Sequence, residues 1–262
     1  MPSSILSPKS ALTALLLLLG GLGPALAQQA HTAPAPGVWL TLNSDARLSR
    51  RLGLHTDLHW RGAQPATRTP AQNQLRLGLN LHLGPQAVVT AGYAYAHALP
   101  PDDGGRPGLV GTTEQRLFQQ VQFGEHTGAL WTRHRYRLEE GWLRAAAAGA
   151  GRTYRTRLRY QLRLLLPLSR DHQLRPGTAY LVGANELFIH IGGPSFFDQN
   201  RLSLLLGLQL STTTALEAGL VRQSVAAGTG LDGGPGNVLQ VGFTLSPDLR
   251  HGQALRVEKN GE

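Results

Sequence analysis

The chain has 262 residues, a formal net charge of +9 and no cysteine. A length of this order fits one domain, and the absence of cysteine excludes disulfides, thiolate metal sites and cysteine nucleophiles. The basic balance does not point to nucleic acid, because the arginines are spaced two apart inside apolar stretches rather than gathered on a helix or in a tail.

At the N-terminus, Lys9 precedes an apolar run from Ala11 to Leu19, which Gly20, Gly21, Gly23 and Pro24 interrupt. Ala25-Leu26-Ala27 then has the small-x-small form of a signal-peptidase site. The run is too short to cross about 30 Å of hydrocarbon, so a cleaved signal peptide is expected over 1–27, with Gln28 as the new N-terminus. A short tail over 28–37, a barrel over 38–247 and a C-terminal tail over 248–262 complete the expected organisation. No later segment holds about 18 uninterrupted apolar residues, so no transmembrane helix is expected.

After Gly37 the dominant signal is period-two alternation. Leu75, Leu77, Leu79, Leu81 and Leu83 alternate with Arg76, Gly78, Asn80 and His82. Leu158, Tyr160, Leu162, Leu164 and Leu166 alternate with Arg157, Arg159, Gln161 and Arg163. Leu202 through Leu210 repeat the pattern against Arg201, Ser203, Gly207 and Gln209. A helix would scatter leucine and arginine over all its faces, whereas a strand separates them. Eleven strands are read, near 38–48, 51–61, 73–83, 87–97, 113–123, 128–139, 153–168, 177–190, 197–210, 214–224 and 237–246. Most reach the length of a tilted membrane strand.

Short connections at Ser49-Arg50, Gly84-Pro85-Gln86, Gly124-Glu125-His126 and Ser211-Thr212-Thr213 alternate with long Gly/Pro-rich ones at 62–72, 98–112, 140–152, 191–196 and 225–236. Short turns on one side and long loops on the other are the layout of bacterial outer-membrane barrels. Those barrels normally have an even number of strands. The fold expected is therefore an all-β, antiparallel transmembrane β-barrel of twelve strands, with ten as the second choice.

A soluble barrel turns its apolar face inward, and a membrane barrel turns it to lipid. The smooth leucine face, the excess of arginine over lysine and the glycines among the polar alternates favour the second. Trp39, Trp60, Tyr93, Trp131, Trp142, Phe196 and Phe197 near strand ends are candidates for an interfacial girdle. The polar face then becomes a lumen carrying Glu114, Arg116, Arg133, Arg135, Arg137, Glu139, Arg155, Arg157, Arg159, Arg163, Glu186, Arg201 and Glu217. The four glutamates are expected to accept hydrogen bonds from arginines on adjacent strands, often in bidentate form, with Glu186 the strongest candidate.

At this point the chain resembles a known family. The matching stretches begin with Gly92-Tyr93-Ala94-Tyr95 and Glu114-Gln115-Arg116-Leu117-Phe118-Gln119-Gln120. Next come Arg133-His134-Arg135-Tyr136-Arg137-Leu138-Glu139 and Arg155-Thr156-Arg157-Leu158-Arg159-Tyr160. Asn185-Glu186-Leu187-Phe188 and Phe197-Asp198-Gln199-Asn200-Arg201 close the series. In order and spacing the chain is similar to the bacterial outer-membrane proteins catalogued as domain of unknown function 2490. The resemblance implies an outer-membrane barrel and brings no activity, substrate or catalytic residues.

Two chemical readings weigh less than their bland counterparts. Ser203 and His190 suggest a hydrolase, but no nucleophile-elbow pattern surrounds Ser203, and a lumenal serine is ordinarily a small polar filler. His55, Asp57 and His59 share one strand face, with His82 on a neighbouring strand, in a pattern that suits zinc or copper. Histidines scattered on a polar lumen face are the favoured reading, and no cofactor, metal or catalytic residue is assigned. The expected partners are outer-membrane lipid and the barrel-assembly machinery, with small anionic solutes as further candidates and no nucleic acid. A bore of ten to twelve strands is narrow. Its charged side chains fill much of it, so a structural or plugged barrel is expected ahead of a passive channel.

Overall fold

The computed structural model describes residues 37–62, 71–99, 111–146, 149, 151–192, 196–225 and 236–250. The signal-peptidase site at Ala25-Leu26-Ala27 lies outside them. Eleven strands are found among the described residues. They are β1 (Gly37–Arg47), β2 (Leu52–Arg61), β3 (Ala71–His82), β4 (Ala87–Leu99), β5 (Thr112–Thr127) and β6 (Leu130–Ala145), followed by β7 (Arg152–Pro167), β8 (Ala179–Ile191), β9 (Phe197–Gln209), β10 (Thr214–Val225) and β11 (Gly236–Leu245). Consecutive strands pair as hairpins, and β1 pairs with β11 to close a barrel.

The expectation of twelve strands, or ten, is corrected to eleven. In an up-and-down meander an odd number leaves the first and last strands pointing the same way. The closing seam must then be parallel, and it is, from Gly37↔Val238 to Ser44↔Leu245. The barrel is therefore not antiparallel throughout. Parallel pairing is slightly weaker per residue. Here the seam runs on past the strands, with the N–H of Arg47 donating to Pro247 O and that of Leu249 to Arg47 O, 2.8 Å each.

The β5–β6 hairpin also differs from its reading. Gly124, Glu125 and His126 do not turn the chain; they are strand residues, and Gly124 pairs with Arg133. A Cβ on Gly124 would stand 2.9 Å from Thr132 O, so this glycine marks a close backbone approach. The reversal falls at Gly128-Ala129, where Gly128 takes a φ of 61° that suits glycine.

The pleat sends the two residue sets to opposite sides of the wall. Leu79, Leu206 and Leu220 on the outer face are 66%, 55% and 58% exposed, while Arg76, Arg137 and Glu139 on the inner face are 1–2% exposed. The interior itself has two sides. Strands β8 to β11 line it with Val182, Leu205, Val221 and Val238, joined by Trp39 of β1. Most of the charge comes from the inner faces of β2, β3, β5, β6 and β7.

Two aromatic rings occupy space that glycines vacate. Tyr180 lies over its register partner Gly207, where a Cβ would meet the ring at 2.2 Å. Phe118 lies over Gly92 and Gly78, where a Cβ would meet the ring at 2.8 and 3.2 Å.

Candidate functional site

The inner faces of β5, β6 and β7 carry a row of long charged side chains, and β4 makes room for them. Ala96 and Ala94 sit opposite Glu114 and Arg116. Gly141 lies opposite Arg116 on the other side, where a Cβ would come within 2.8 Å of Glu114 Oε1. Small residues thus flank the bulky ones, and the charges project into the bore.

Glu139 on β6 is the hub. It accepts from Arg159 Nη1 at 2.6 Å. The guanidinium nitrogens of Arg116, Arg137 and Arg76 stand 3.7, 3.8 and 3.9 Å from its oxygens. Arg76 belongs to β3, three strands away, so this contact crosses the bore. Asp57 on β2 makes a second crossing, 3.4 Å from Arg76 and 3.9 Å from Arg137 of β6.

Glu186 on β8 accepts from Arg159 Nη2 at 2.7 Å and from Arg135 Nη2 at 2.8 Å. Both the Nε and Nη2 of Arg159 converge on one oxygen of Glu186, so the guanidinium forks a single atom. The two-oxygen bidentate pairing expected from sequence is not formed here. Glu114 bonds Arg116 on its own strand and Arg157 at 3.1 Å, and Arg157 also faces Asp198 at 3.6 Å. Glu217 on β10 takes Arg163 of β7 at 2.5 Å and the Tyr180 hydroxyl at 2.9 Å.

A hydrogen-bonded belt joins this network to β4, β3 and β1. Arg137 donates to Gln120 Oε1 through Nε at 2.8 Å and Nη2 at 2.6 Å, and Gln120 donates to Thr90 at 3.2 Å. Thr90 donates to Asn80 at 2.6 Å, and Asn80 to Asp45 at 2.9 Å. His55 closes the belt, 2.8 Å from Asp45 and 3.3 Å from Asp57. Linked polar groups of this kind polarise one another and fix one arrangement.

A stack of cations and aromatic rings crosses the other half of the bore. The guanidinium of Arg61 lies 4.5 Å from the centre of the Trp39 ring, and that of Arg201 lies 4.8 Å from it. Arg201 also lies 4.6 Å from the Phe188 ring, and Arg159 lies 4.4 Å from the same ring. Such contacts are worth about 2 kcal/mol when desolvated.

All thirteen lumen residues read from sequence lie on inner-face positions of their strands. Ten of them enter carboxylate–guanidinium contacts. Arg133, Arg155 and Arg201 have no carboxylate within 4.0 Å among the described residues. Arg201 is the register partner of Glu186, yet its guanidinium lies over rings instead. Sequence reasoning missed Asp57, Arg76, Asp45 and Asp198 as members. Asp57 and Arg76 were legible, since both alternate with leucines and fall opposite one another. Trp39, read as a girdle residue, points inward and is 5% exposed.

Neither chemical alternative is assembled. Ser203 pairs with Ala184, and His190 lies six residues further along β8, roughly 20 Å away at about 3.4 Å per residue. His55, Asp57 and His59 do share a face, but Asp57 is taken up by the Arg76 cation at 3.4 Å and by His55 at 3.3 Å. Among the described residues, no group of three His, Asp or Glu converges as a metal site.

No curated protein matches the chain. Among solved structures, LpxR from Salmonella typhimurium is similar over 85% of this chain and 92% of its own, at 11% sequence identity and a TM-score of 0.40. The sequence signature of the family described as "Protein of unknown function (DUF2490)" matches residues 36–233, and the chain belongs to that family.

Proposed function

We propose that this chain is an exported outer-membrane barrel that does not conduct, its bore held shut by its own side chains. One observation carries the reading. The ion-pair network reaches from β2 and β3 across to β6, β7 and β8, and its central members Arg76, Asp57, Arg137, Glu139 and Arg159 are all buried. A channel keeps water along its axis, whereas here guanidinium and carboxylate groups meet across it. Placement in the outer membrane is supported by the exposed leucine face and by closure, which satisfies backbone groups without water. Cleavage of 1–27 belongs to the same proposal, as do lipid and the barrel-assembly machinery as partners.

The test is to reconstitute the protein in vesicles loaded with a small anionic dye, after showing that it fractionates with the outer membrane and shifts on a gel when boiled. Dye retention is expected. Rapid release would favour a passive channel for small anionic solutes, and recovery as a soluble protein would end the membrane reading.

A further inference from the structure

Among the described residues, twelve arginines face the bore against seven carboxylates. To the nine arginines and four glutamates read from sequence, the structure adds Arg47, Arg61, Arg76, Asp45, Asp57 and Asp198. The surplus is not spread evenly. Glu139 and Glu186 gather most of the ion pairs, while Arg61 and Arg201 have no carboxylate within 4.0 Å among the described residues. Both lie against one ring, that of Trp39.

Their polar partners are neutral amides. Arg61 Nη1 donates to Gln72 Oε1 at 2.8 Å, and its enclosed Nε has no acceptor. Arg201 Nε stands 2.7 Å from the Gln199 amide when that amide turns its oxygen inward. These amides are neutral, so neither guanidinium is offset by a carboxylate within 4.0 Å among the described residues. Two guanidinium groups held beside one ring, in surroundings less polar than water, repel each other. Both remain half-buried rather than sealed from solvent.

We propose that Arg61 and Arg201 form a binding site for a small oxyanion, phosphate or carboxylate, beside Trp39. The planar fork of a guanidinium matches the oxygen pairs of both groups. The site faces the bore, so its ligand comes from solution and not from a lipid headgroup. It does not depend on the bore being shut: conductance reports on the plug, and anion affinity reports on this pair.

The test is calorimetric titration of the folded full chain, in phospholipid-free detergent, with inorganic phosphate and separately with acetate, at fixed ionic strength against chloride. Saturable binding of at least one is expected. It should weaken at least tenfold in Arg61→Gln and in Arg201→Gln, and survive in Arg133→Gln, which alters an exposed lumenal arginine. The boiling-dependent gel shift identifies variants that fail to fold, and Arg61→Lys, which keeps the charge and loses the fork, then serves in their place with weakened binding. Absence of saturable binding of either anion to the wild type overturns the proposal, as does undiminished binding in the Arg61 and Arg201 variants.

Discussion

Arg159 touches both acidic centres of the bore, donating to Glu139 at 2.6 Å and to Glu186 at 2.7 Å while its plane lies on Phe188. Glu186 keeps Arg135 if Arg159 is removed, but Glu139 keeps only contacts of 3.7–3.9 Å. Leaving a buried carboxylate short of its partner costs about 3–5 kcal/mol, more than the intact pair contributes over an apolar substitute. Arg159→Gln should therefore lower the denaturant midpoint sharply in refolding titrations. Arg175→Gln, which breaks an exposed turn pair with Asp171, should leave it unchanged. Equal effects would mean that the lumenal charges are separately hydrated. At this scale period two made the inner face legible, because a strand places every second residue on one side. Partnership was not legible: Glu217 meets Arg163 from three strands away. Asp198 escaped because the ladder slips between Phe188 and Ile189, and a bulge breaks the alternation from which faces are read.

The strands were legible as elements, and ten of their eleven joints follow from order alone, since neighbours joined by turns pair. The seam did not follow, because parity argued for an even count and nothing in the sequence marks a parallel closure. It can be tested cleanly in a chain without native cysteine. Leu40 and Val241 are register partners across it, so Leu40→Cys with Val241→Cys should oxidise to a disulfide in the folded barrel. Leu40→Cys with Leu245→Cys, four residues out of register, should stay reduced because its Cα separation exceeds about 7 Å. Cross-linking in the second pair alone would mean a different closure. Within the wall, Tyr180 is fixed over Gly207 by its hydroxyl bond to Glu217, so the ring cannot swing aside without breaking that bond. Gly207→Ala should destabilise the barrel by about 1–3 kcal/mol through overpacking. Adding Tyr180→Leu should recover part of that loss, since residues in contact do not act additively. Strictly additive effects in a four-way stability comparison would remove the ring-on-glycine contact from the account.

For the whole molecule, an apolar outer surface and a charged interior invert the arrangement of a soluble barrel, and the closed wall leaves no unpaired strand edge. The sequence revealed this inversion through its leucine ladders. It did not reveal how the inner charges meet, which depends on bore width and strand stagger. If the bore is closed as proposed, the guanidinium and carboxylate groups that meet across it leave ions no continuous path. Single-channel recording in planar bilayers tests this most directly. Inserted wild-type barrels, verified by their boiling-dependent gel shift, should give no stable current steps across a range of voltages. Reproducible ohmic steps from the wild-type protein would contradict a bore closed by its own ion pairs.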